Sequence, residues 1–524
     1  MRLWKHSFAG KTLVFAVTAA SCQAFLLLGY DQGVMGGIIG ANNEFGQDFN
    51  HPDADMQGNI TALYDIGCVV GSIITYFVGE RLGRRTLLIL GGSIMIIGNA
   101  ILGPSYTVGQ LIVGRIVTGI GNGMNSSTAP VYLSECSPAS HRGVLNTFQG
   151  TVTILGVVIA YWPDYGLSFS SSSIQWRFPL AFQAVFAILL VLQVIGLPET
   201  PRWLVQRDRL EDAKTTVTAL LGTSEDDPKV TGTLLDIRSV VEKEHKGGPF
   251  KFKELFSIHG TQNFRRLMLT ISVQFGQQLS GSKLIVRPLS TSTSSLCNML
   301  NYYAPVIYQD QMSLSRELSP ILGGCTEVTY LVGSVLPLFV IDKFGRRLLL
   351  MFSPAGLCLC FVMVSILLSI GSRGTAYGAT AFIFLFQLFY PCTSTGLLTL
   401  VQMASGASTR YRAKVQAISS AWNWMFVFVV VKVTPIAMQN IGWRTFVIFA
   451  IQNFLFIPMV YCFYPETKGL ELEDIPLLFH KGGITGGVFT SRGKTVVPHQ
   501  HAQQQQIGRD EKTDNEVREV EDRA

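Results

Sequence analysis

The sequence predicts an all-α membrane protein with twelve transmembrane helices in two pseudo-symmetric six-helix bundles. Only 15% of the 524 residues are charged, against about 25% in an average soluble protein, while 48% are hydrophobic. The apolar residues come in blocks of about 20, the length that crosses a bilayer as a helix. Two motifs of the first half also recur in the second half, which indicates that the two bundles are related.

Six apolar blocks predict the transmembrane helices of the first half. They cover residues 13–39, 56–78, 86–102, 108–129, 147–162 and 176–197. The first block is longer than the apolar core of a secretory signal peptide and includes the polar residues Tyr30, Asp31 and Gln32. We therefore interpret it as the first membrane helix. The polar residues 198–266 follow as a central loop.

The second half offers five clear blocks and one anomalous window. The clear blocks cover residues 318–340, 348–370, 378–403, 417–438 and 443–464. The window 267–308 counts as one further helix, which brings the total to twelve. We therefore divide the chain into an N-terminus (1–12), an N-terminal bundle (13–197), the central loop (198–266), a C-terminal bundle (267–464) and a largely disordered tail (465–524).

Lysine and arginine residues predict the orientation, because the translocation of positive charge is disfavoured. They cluster in alternate connections, at Arg81, Arg84, Arg85, Arg142, Lys343, Arg346, Arg347, Arg410, Arg412 and Lys414. The connection 40–55 instead contains four acidic residues and no Lys or Arg. Both termini and the central loop are therefore expected in the cytoplasm. This topology accounts for the net charge of +6 without a nucleic acid partner.

The cysteines and histidines argue against a metal site and against an enzyme. The nine cysteines include no C-x-x-C pair and lie mostly in apolar blocks, so we interpret them as core or lipid-facing residues. All eight histidines fall outside the apolar blocks, which leaves no intramembrane metal or acid–base cluster built on histidine. No catalytic residue, metal or cofactor is predicted.

An internal repeat indicates that the two bundles arose by duplication. The string Glu80-Arg-Leu-Gly-Arg-Arg85 recurs as Asp342-Lys-Phe-Gly-Arg-Arg347, and Pro198-Glu-Thr200 recurs as Pro465-Glu-Thr467. Similar lengths of chain separate the members of the two pairs. Transporters built from repeated halves bind substrate near the bilayer midplane and alternate access by moving one half against the other.

Seven short motifs occur in order between Gly29 and Asp474. They are Gly29-Tyr-Asp-Gln-Gly33, the string from Glu80 to Arg85, Arg115-xxx-Gly-x-Gly-x-Gly123, Pro130-Val-Tyr-Leu-Ser-Glu135, Pro198-Glu-Thr-Pro-Arg-Trp-Leu204, Gln277-Gln-Leu-Ser-Gly281 and Asn301-Tyr-Tyr303. Through these motifs the chain resembles fungal members of the sugar-porter branch of the major facilitator superfamily. The resemblance implies the major facilitator fold and the import of a sugar, such as a hexose or uronic acid, with protons by alternating access. It also implies a plasma-membrane location, a proton gradient in place of a cofactor, and a monomer in the lipid bilayer.

The resemblance assigns proton coupling to Asp31 and Arg115. In proton-coupled sugar porters the aspartate that matches Asp31 takes up the proton, and the arginine that matches Arg115 pairs with it. Protonation would remove the pairing and so couple proton entry to the movement of the halves. The alternative is a structural ion pair that does not titrate, as in facilitators. Asp65 has no coupling role in the family, and we interpret it as a cavity or helix-packing residue.

The resemblance also implies the residues that bind sugar. Sugar hydroxyls need side chains that both donate and accept hydrogen bonds, and the pyranose face packs on an aromatic ring. The expected ligands are Gln149, Gln277, Gln278, Asn298, Asn423 and Trp424. For each amide the alternative is an interhelical hydrogen bond, and for Trp424 it is simple packing.

Charged residues at the cytoplasmic ends of the helices are expected to form ion pairs that hold the inner gate closed, as they do in the family. In the first half these residues are Glu80, Arg81, Arg85, Glu135, Arg142 and Glu199. The second-half counterparts are Asp342, Arg346, Arg347, Arg412 and Glu466. The basic members also set the topology, and the two roles do not exclude each other.

Residues 282–296 interrupt the expected seventh helix. Family members have one residue between the end of the Gln-Gln motif and the helix-seven asparagine. Here sixteen residues lie between Gly281, which ends the motif, and Asn298. The insertion contains Lys283, Arg287 and Pro288, which are costly in the middle of a membrane helix. We expect it to be a retained intron or a misplaced splice junction, and a genuine specialised loop is the alternative.

Three other functions compete with a proton-coupled importer. An uncoupled facilitator would keep the fold and lose the dependence of uptake on protons. A sugar sensor would bind sugar without flux, and an inactive splice product would not transport. The tenth helix lacks the family's tryptophan and Ser-Glu pair near residues 401–406. Substrate identity is therefore harder to predict than fold.

Overall fold

The computed structural model describes residues 8–38, 44–138, 142–245, 254, 256–257, 262–279, 318–404, 409–441, 443–466 and 488. Within these residues the chain forms sixteen α-helices and no β-strand. The prediction of an all-α membrane protein is therefore confirmed. The insertion 282–296 lies outside the described residues.

Six long helices and one short helix form the first half. They are α1 (Lys11–Ile38), α2 (Glu44–Asp48), α3 (Ala54–Leu82), α4 (Arg84–Leu102), α5 (Val108–Cys136), α6 (Arg142–Leu167) and α7 (Ile174–Ile195). Each long helix matches one predicted apolar block. The helix α5 extends beyond its block at one end, and α3 and α6 extend beyond theirs at both ends.

Three shorter helices occupy the segment that the sequence predicted as a loop. They are α8 (Pro201–Gln206), α9 (Leu210–Leu221) and α10 (Pro228–His245), and they share a small core of Leu204, Val205, Ala213 and Val241. The backbone amide of Gly10 donates to the carbonyl of Ala219 at 2.6 Å, which attaches α9 to the start of α1. The sequence analysis did not predict these helices, because so small a core needs only a few apolar residues.

The second half contains the remaining six helices of the described chain. They are α11 (Asn263–Leu279), α12 (Leu318–Phe344), α13 (Arg346–Ile370), α14 (Arg373–Ala404), α15 (Thr409–Ile441) and α16 (Arg444–Phe463). The helix α11 begins four residues before the predicted window, and residues 280–317 that follow it lie outside the described part of the chain. We call the end of the bundle with Arg84 and Arg347 the basic end, and the end with Asp48 and Asp55 the acidic end.

Ten of the described helices are long and apolar enough to cross a membrane. The helices α5 and α11 bring the number to the predicted twelve. The 29-residue α5 carries Gly, Asn, Ser and Thr, and most of its residues are buried against other helices, where small and weakly polar residues pack well. The 17 residues of α11 correspond to about 26 Å, close to the ~30 Å hydrocarbon core.

The helices α3 and α5 approach so closely that their backbones touch. A Cβ atom at Gly67 would overlap the carbonyl oxygen of Ile116, and a Cβ atom at Gly119 would overlap that of Tyr64. Because glycine alone permits this approach, residues 64–67 of α3 lie at the same depth in the bundle as residues 116–119 of α5.

The two halves meet mainly where α3 packs on α15 and where α6 packs on α12. The hydroxyl of Ser72 on α3 donates to that of Ser420 on α15 at 3.2 Å. The hydroxyl of Thr151 on α6 donates to the carbonyl of Ser334 on α12, also at 3.2 Å. These two contacts lie at buried or partly buried sites between the halves.

The replacement Gly119→Ala is expected to destabilise the protein, because the added methyl group must push the α3 backbone away. Overpacking of this kind costs about 1–3 kcal/mol. The matched control is Gly109→Ala on the same helix, where a Cβ atom would meet nothing within 4 Å. We expect thermal unfolding in detergent to show a lower melting temperature for Gly119→Ala alone. Equal melting temperatures would contradict the close contact of α3 and α5.

Candidate functional site

A buried ion pair joins the first and fifth helices. Nη1 of Arg115 on α5 lies 2.5 Å from Oδ1 of Asp31 on α1, and neither side chain is exposed at all. The structure thus brings together the two residues to which the sequence assigned proton coupling. A charge so far from water requires a partner, and loss of either partner would leave the other uncompensated.

Tyr64 connects this ion pair to the second half of the protein. The guanidinium carbon of Arg115 lies 4.4 Å from the centre of the Tyr64 ring, within the range of a cation–π contact. The Tyr64 ring in turn meets the ring of Trp424 on α15 edge-on, with 6.1 Å between centroids. The chain of contacts from Asp31 to Trp424 therefore crosses from one half to the other. The sequence analysis missed Tyr64, although an aromatic residue beside Asp65 in an apolar block was a visible signal.

Trp424 is the expected sugar ligand with the best-defined surroundings. Its side chain is 2% exposed, and its Nε1 donates to the hydroxyl of Ser126 on α5 at 3.2 Å. The adjacent Asn423 is half-buried on α15. Because Trp424 contacts α5 directly, its ring lies between the two halves.

Gln149 on α6 is buried, and its Nε2 has no hydrogen-bond partner among the described residues. A buried amide donor without a partner is costly, so this group is available for a ligand. Gln387 on α14 shares this property at both side-chain polar atoms within the described chain, and the sequence analysis did not identify it. The side chains of Gln277 and Gln278 at the end of α11, and the whole of Asn298, lie outside the described residues.

The basic end of the first half is held by contacts between side chains and helix termini. One carboxylate oxygen of Glu199 accepts from the backbone amide of Arg84 at 3.0 Å, and the other accepts from that of Arg85 at 3.1 Å. Glu199 thus caps the start of α4, where a negative charge is favourable. Burial raises the pKa of Glu199, although these backbone donors oppose the shift.

The side chains of Arg84 and Arg85 at this end have different partners. The side chain of Arg84, not that of Arg85, contacts Glu135 at 3.1 Å, and both partners are almost wholly buried. Arg85 instead donates to the carbonyls of Val194 at 3.3 Å and Ile195 at 2.6 Å, at the end of α7. A guanidinium there compensates the carbonyl groups that a helix leaves unpaired at its C-terminus.

The second half repeats this arrangement. Glu466 accepts from the backbone amide of Arg347 at 3.1 Å, and Arg347 donates to the carbonyl of Tyr461 at 2.6 Å. The glycine before each arginine pair, Gly83 or Gly345, has a φ of +87°. A Cβ atom at either glycine would also press on the carboxylate of the capping glutamate. Both the positive φ and the lack of space therefore favour glycine at these positions. The sequence repeat therefore encodes a repeated helix cap.

The helix pair α3 and α15 is joined at both of its ends. At the basic end, Nζ of Lys414 lies 3.3 Å from a carboxylate oxygen of Glu80. At the acidic end, Nζ of Lys432 lies 2.6 Å from Oδ1 of Asp55 and 2.7 Å from Oδ1 of Asn59. The sequence analysis missed the role of Lys432, although a lysine in an apolar block was a visible signal.

The other expected gate residues contribute less to the described contacts. Arg81 is exposed, and its carbonyl accepts from Arg207 at 3.3 Å. The side chains of Arg142, Asp342, Arg346 and Arg412 lie outside the described residues. Among the residues that are described, no group of three or more His, Cys, Asp or Glu side chains is placed to hold a metal ion.

Comparisons with known proteins agree with this architecture. The family described as "Sugar (and other) transporter" matches residues 15–479. The chain is 37% identical over 486 residues to "Sugar transporter STL1" of Saccharomyces cerevisiae, which covers 90% of this chain and 82% of that protein. It is 35% identical over 476 residues to "MFS-type transporter oryC" of Aspergillus oryzae, which covers 89% of this chain and 85% of the relative.

A solved structure shares the fold. The proton:xylose symporter XylE of E. coli, bound to 6-bromo-6-deoxy-D-glucose, superposes with a TM-score of 0.75 at 22% sequence identity. The match covers 90% of this chain and all of that one, 100%. At this level of identity the likeness shows the major facilitator fold, and with it the two six-helix bundles that the sequence predicted.

The contact between the hydroxyls of Ser72 and Ser420 predicts a specific cross-link. In the double variant Ser72→Cys and Ser420→Cys, a mild oxidant is expected to form a disulfide, because the two hydroxyl oxygens that the sulfur atoms would replace lie 3.2 Å apart. The matched control pairs Ser72→Cys with Ser419→Cys, since Ser419 accepts from Gln274 on α11 and so faces another helix. Mass spectrometry of digested protein identifies the linked peptides. A link in the control alone would contradict the described packing of α3 on α15.

Proposed function

Because the chain belongs to the sugar transporter family of the major facilitator superfamily, we propose that it imports a monosaccharide or related sugar, such as a hexose or uronic acid, with protons. The protein is an integral membrane transporter, and its relatives are named as transporters and not as enzymes. Proton coupling, the substrate and the direction of transport are the proposed parts.

The buried pair of Asp31 and Arg115 is the observation that carries the proposal. An ionised pair in the bilayer interior is held together strongly, because little water competes for either charge. A proton on Asp31 removes the negative charge and leaves Arg115 free to move. Through Tyr64, Arg115 is connected to Trp424 in the other half, so a change of charge at Asp31 can alter the contact between halves. This is the physical basis that symport requires.

The polar groups between the halves support a sugar as the substrate. Trp424 offers a ring face or edge, and Gln149 offers an amide donor without a protein partner among the described residues. We propose that Gln277, Gln278, Asn298 and Asn423 complete the site, as the family motifs imply. Two further relatives, both from Kluyveromyces lactis, are named "Hexose transporter 2" and "Low-affinity glucose transporter", at 30% identity each. Their names support a hexose as the first substrate to test.

The charged contacts at the two ends of α3 and α15 support alternating access. We propose that the basic end faces the cytoplasm of a plasma-membrane protein, since positive charge is retained there. In that orientation the contact of Glu80 with Lys414 lies on the cytoplasmic side, and the contact of Asp55 with Lys432 lies on the outer side. Breaking either contact would open the protein to that side. The two contacts would break in turn, and the hydroxyl contact of Ser72 with Ser420 lies between them along α3.

The replacement Asp31→Asn is expected to abolish accumulation and to preserve exchange of sugar. Purified protein is reconstituted in vesicles with an inward gradient of about one pH unit and no membrane potential, which supports about tenfold accumulation at one proton per sugar. Labelled glucose, xylose and galacturonate are tested, with and without a protonophore. The wild type should reach about tenfold accumulation with its substrate, whereas Asp31→Asn should stop at equal concentrations.

The matched control is Asp236→Asn, the same chemical change at an exposed residue of α10. It should accumulate sugar as the wild type does. If the protonophore does not change sugar uptake by the wild type, the protein is a facilitator. If the wild type binds sugar without uptake, it is a sensor. Each experiment is repeated with a chain that lacks 282–296. Activity of that shorter chain alone would identify the insertion as a splicing error.

A further inference from the structure

A second carboxyl group lies in the membrane interior beside the ion pair. Asp65 on α3 is wholly buried, and neither of its side-chain oxygens has a hydrogen-bond partner among the described residues. The proposed coupling mechanism makes no use of this group. A bare, ionised carboxylate in such a place costs several kcal/mol, so its presence requires an explanation.

The close contact of α3 and α5 sets the position of Asp65. Residues 64–67 touch the backbone of residues 116–119, which brings Asp65 to the depth of Arg115. Asp65 is near enough to interact electrostatically with both Arg115 and Asp31. Two acidic groups and one guanidinium therefore occupy the same region of the first half.

The charges that face α3 from its neighbours do not supply a second cation at this depth. Among the described residues, α5 contributes Arg115 and α1 contributes Asp31. Lys414 and Lys432 of α15 lie at the two ends of α3, where they contact Glu80 and Asp55.

The remaining neighbours of α3 add no charge near Asp65 among the described residues. The arginines of α4 are at the basic end, where Arg84 contacts Glu135. The titratable groups of α3 itself nearby are the phenol of Tyr64 and the thiol of Cys68, which accepts a long contact from Asn122 at 3.8 Å. Both are neutral at ordinary pH. With both aspartates ionised the cluster would carry one uncompensated negative charge in a medium of low dielectric constant.

We propose that Asp65 is a second proton-binding site, and that Asp31 and Asp65 share the single guanidinium of Arg115. In the arrangement described here Asp31 is ionised and paired, and Asp65 holds a proton. When a proton from the outside binds Asp31, Arg115 is released and stabilises the Asp65 carboxylate, whose proton leaves towards the inside. One proton enters and one leaves, so the cluster is neutral before and after the exchange.

The direction of this exchange follows from the proposed orientation of the protein. The entering proton binds Asp31 from the acidic end, and the proton that leaves Asp65 is released towards the basic end, in the direction of import. This inference rests on the proposed proton coupling.

The protonation of Asp65 is tested first by a measurement that needs no transport. Purified full-length protein is studied at neutral pH by infrared spectroscopy, in which a protonated carboxyl group gives a carbonyl band distinct from that of a carboxylate. The wild type should show this band, and Asp65→Asn should lose the part of it that Asp65 contributes, while the buried carboxyl groups of Asp164 and Glu327 contribute equally to both proteins. Asp31→Asn should show the same loss, because Arg115 would then stabilise the Asp65 carboxylate. A band that is unchanged in Asp65→Asn would overturn the proposal.

The coupling role is tested with the vesicle assay described above. Asp65→Asn is expected to exchange sugar and to lose the roughly tenfold accumulation, whereas Asp65→Glu, which can still carry a proton, is expected to keep most of it. If Asp65→Asn does not fold, the comparison of Asp65→Glu with the wild type decides, since the longer side chain should shift the pH dependence of uptake. Unchanged accumulation in Asp65→Asn, or an unchanged pH profile in Asp65→Glu, would refute the second site.

These outcomes separate the two proposals. Sugar accumulation by the wild type that the protonophore does not change refutes proton coupling, while the infrared band still reports whether Asp65 holds a proton. A coupled wild type with a pH-insensitive band and no effect of Asp65→Asn refutes only the role of Asp65.

Discussion

The guanidinium of Arg115 is the charge on which the interior of the first half depends. It is wholly buried, so it must find negative charge and polarisable surface within the protein. Asp31 supplies the charge from α1, and the ring of Tyr64 supplies the surface from α3. Three helices that are distant in sequence are thereby held at one point. Because Tyr64 also touches Trp424, the same point is connected to the opposite half.

Close backbone contact makes this arrangement possible. Glycines on α3 and α5 let the two helices touch, and the contact brings Tyr64 and Asp65 to the level of Arg115. Membrane helices gain little from hydrophobic association, since lipid is as apolar as their side chains. Tight packing of small residues is therefore what fixes the depth of the charged groups. The same reasoning explains why α5, the most enclosed of these helices, is not the most apolar.

In both halves, charged side chains satisfy the unpaired backbone groups at the ends of helices. A helix that follows a tight turn leaves unpaired amide groups at its start, and a preceding helix leaves unpaired carbonyls at its end. Glu199 and Arg85 satisfy these groups in the first half, and Glu466 and Arg347 do so in the second. The charged residues that the family resemblance assigns to a gate thus also join helices within each half. A rigid half can move as one body, which alternating access requires.

The sequence by itself indicated where the membrane helices lie, because bilayer thickness sets the length of an apolar block, but α3, α5 and α6 extend beyond their blocks. The pairing of Asp31 with Arg115 was implied by the family resemblance, and the structure places the two side chains in contact. The sequence did not show that Arg84 contacts Glu135 while Arg85 caps α7, or that Lys432 meets Asp55. Neighbouring arginines point in different directions around a helix, and only the packed neighbours decide which one finds an acid. The tertiary structure alone brought Tyr64, Asp65 and Trp424 to the ion pair, because contacts between distant segments depend on how closely helices approach.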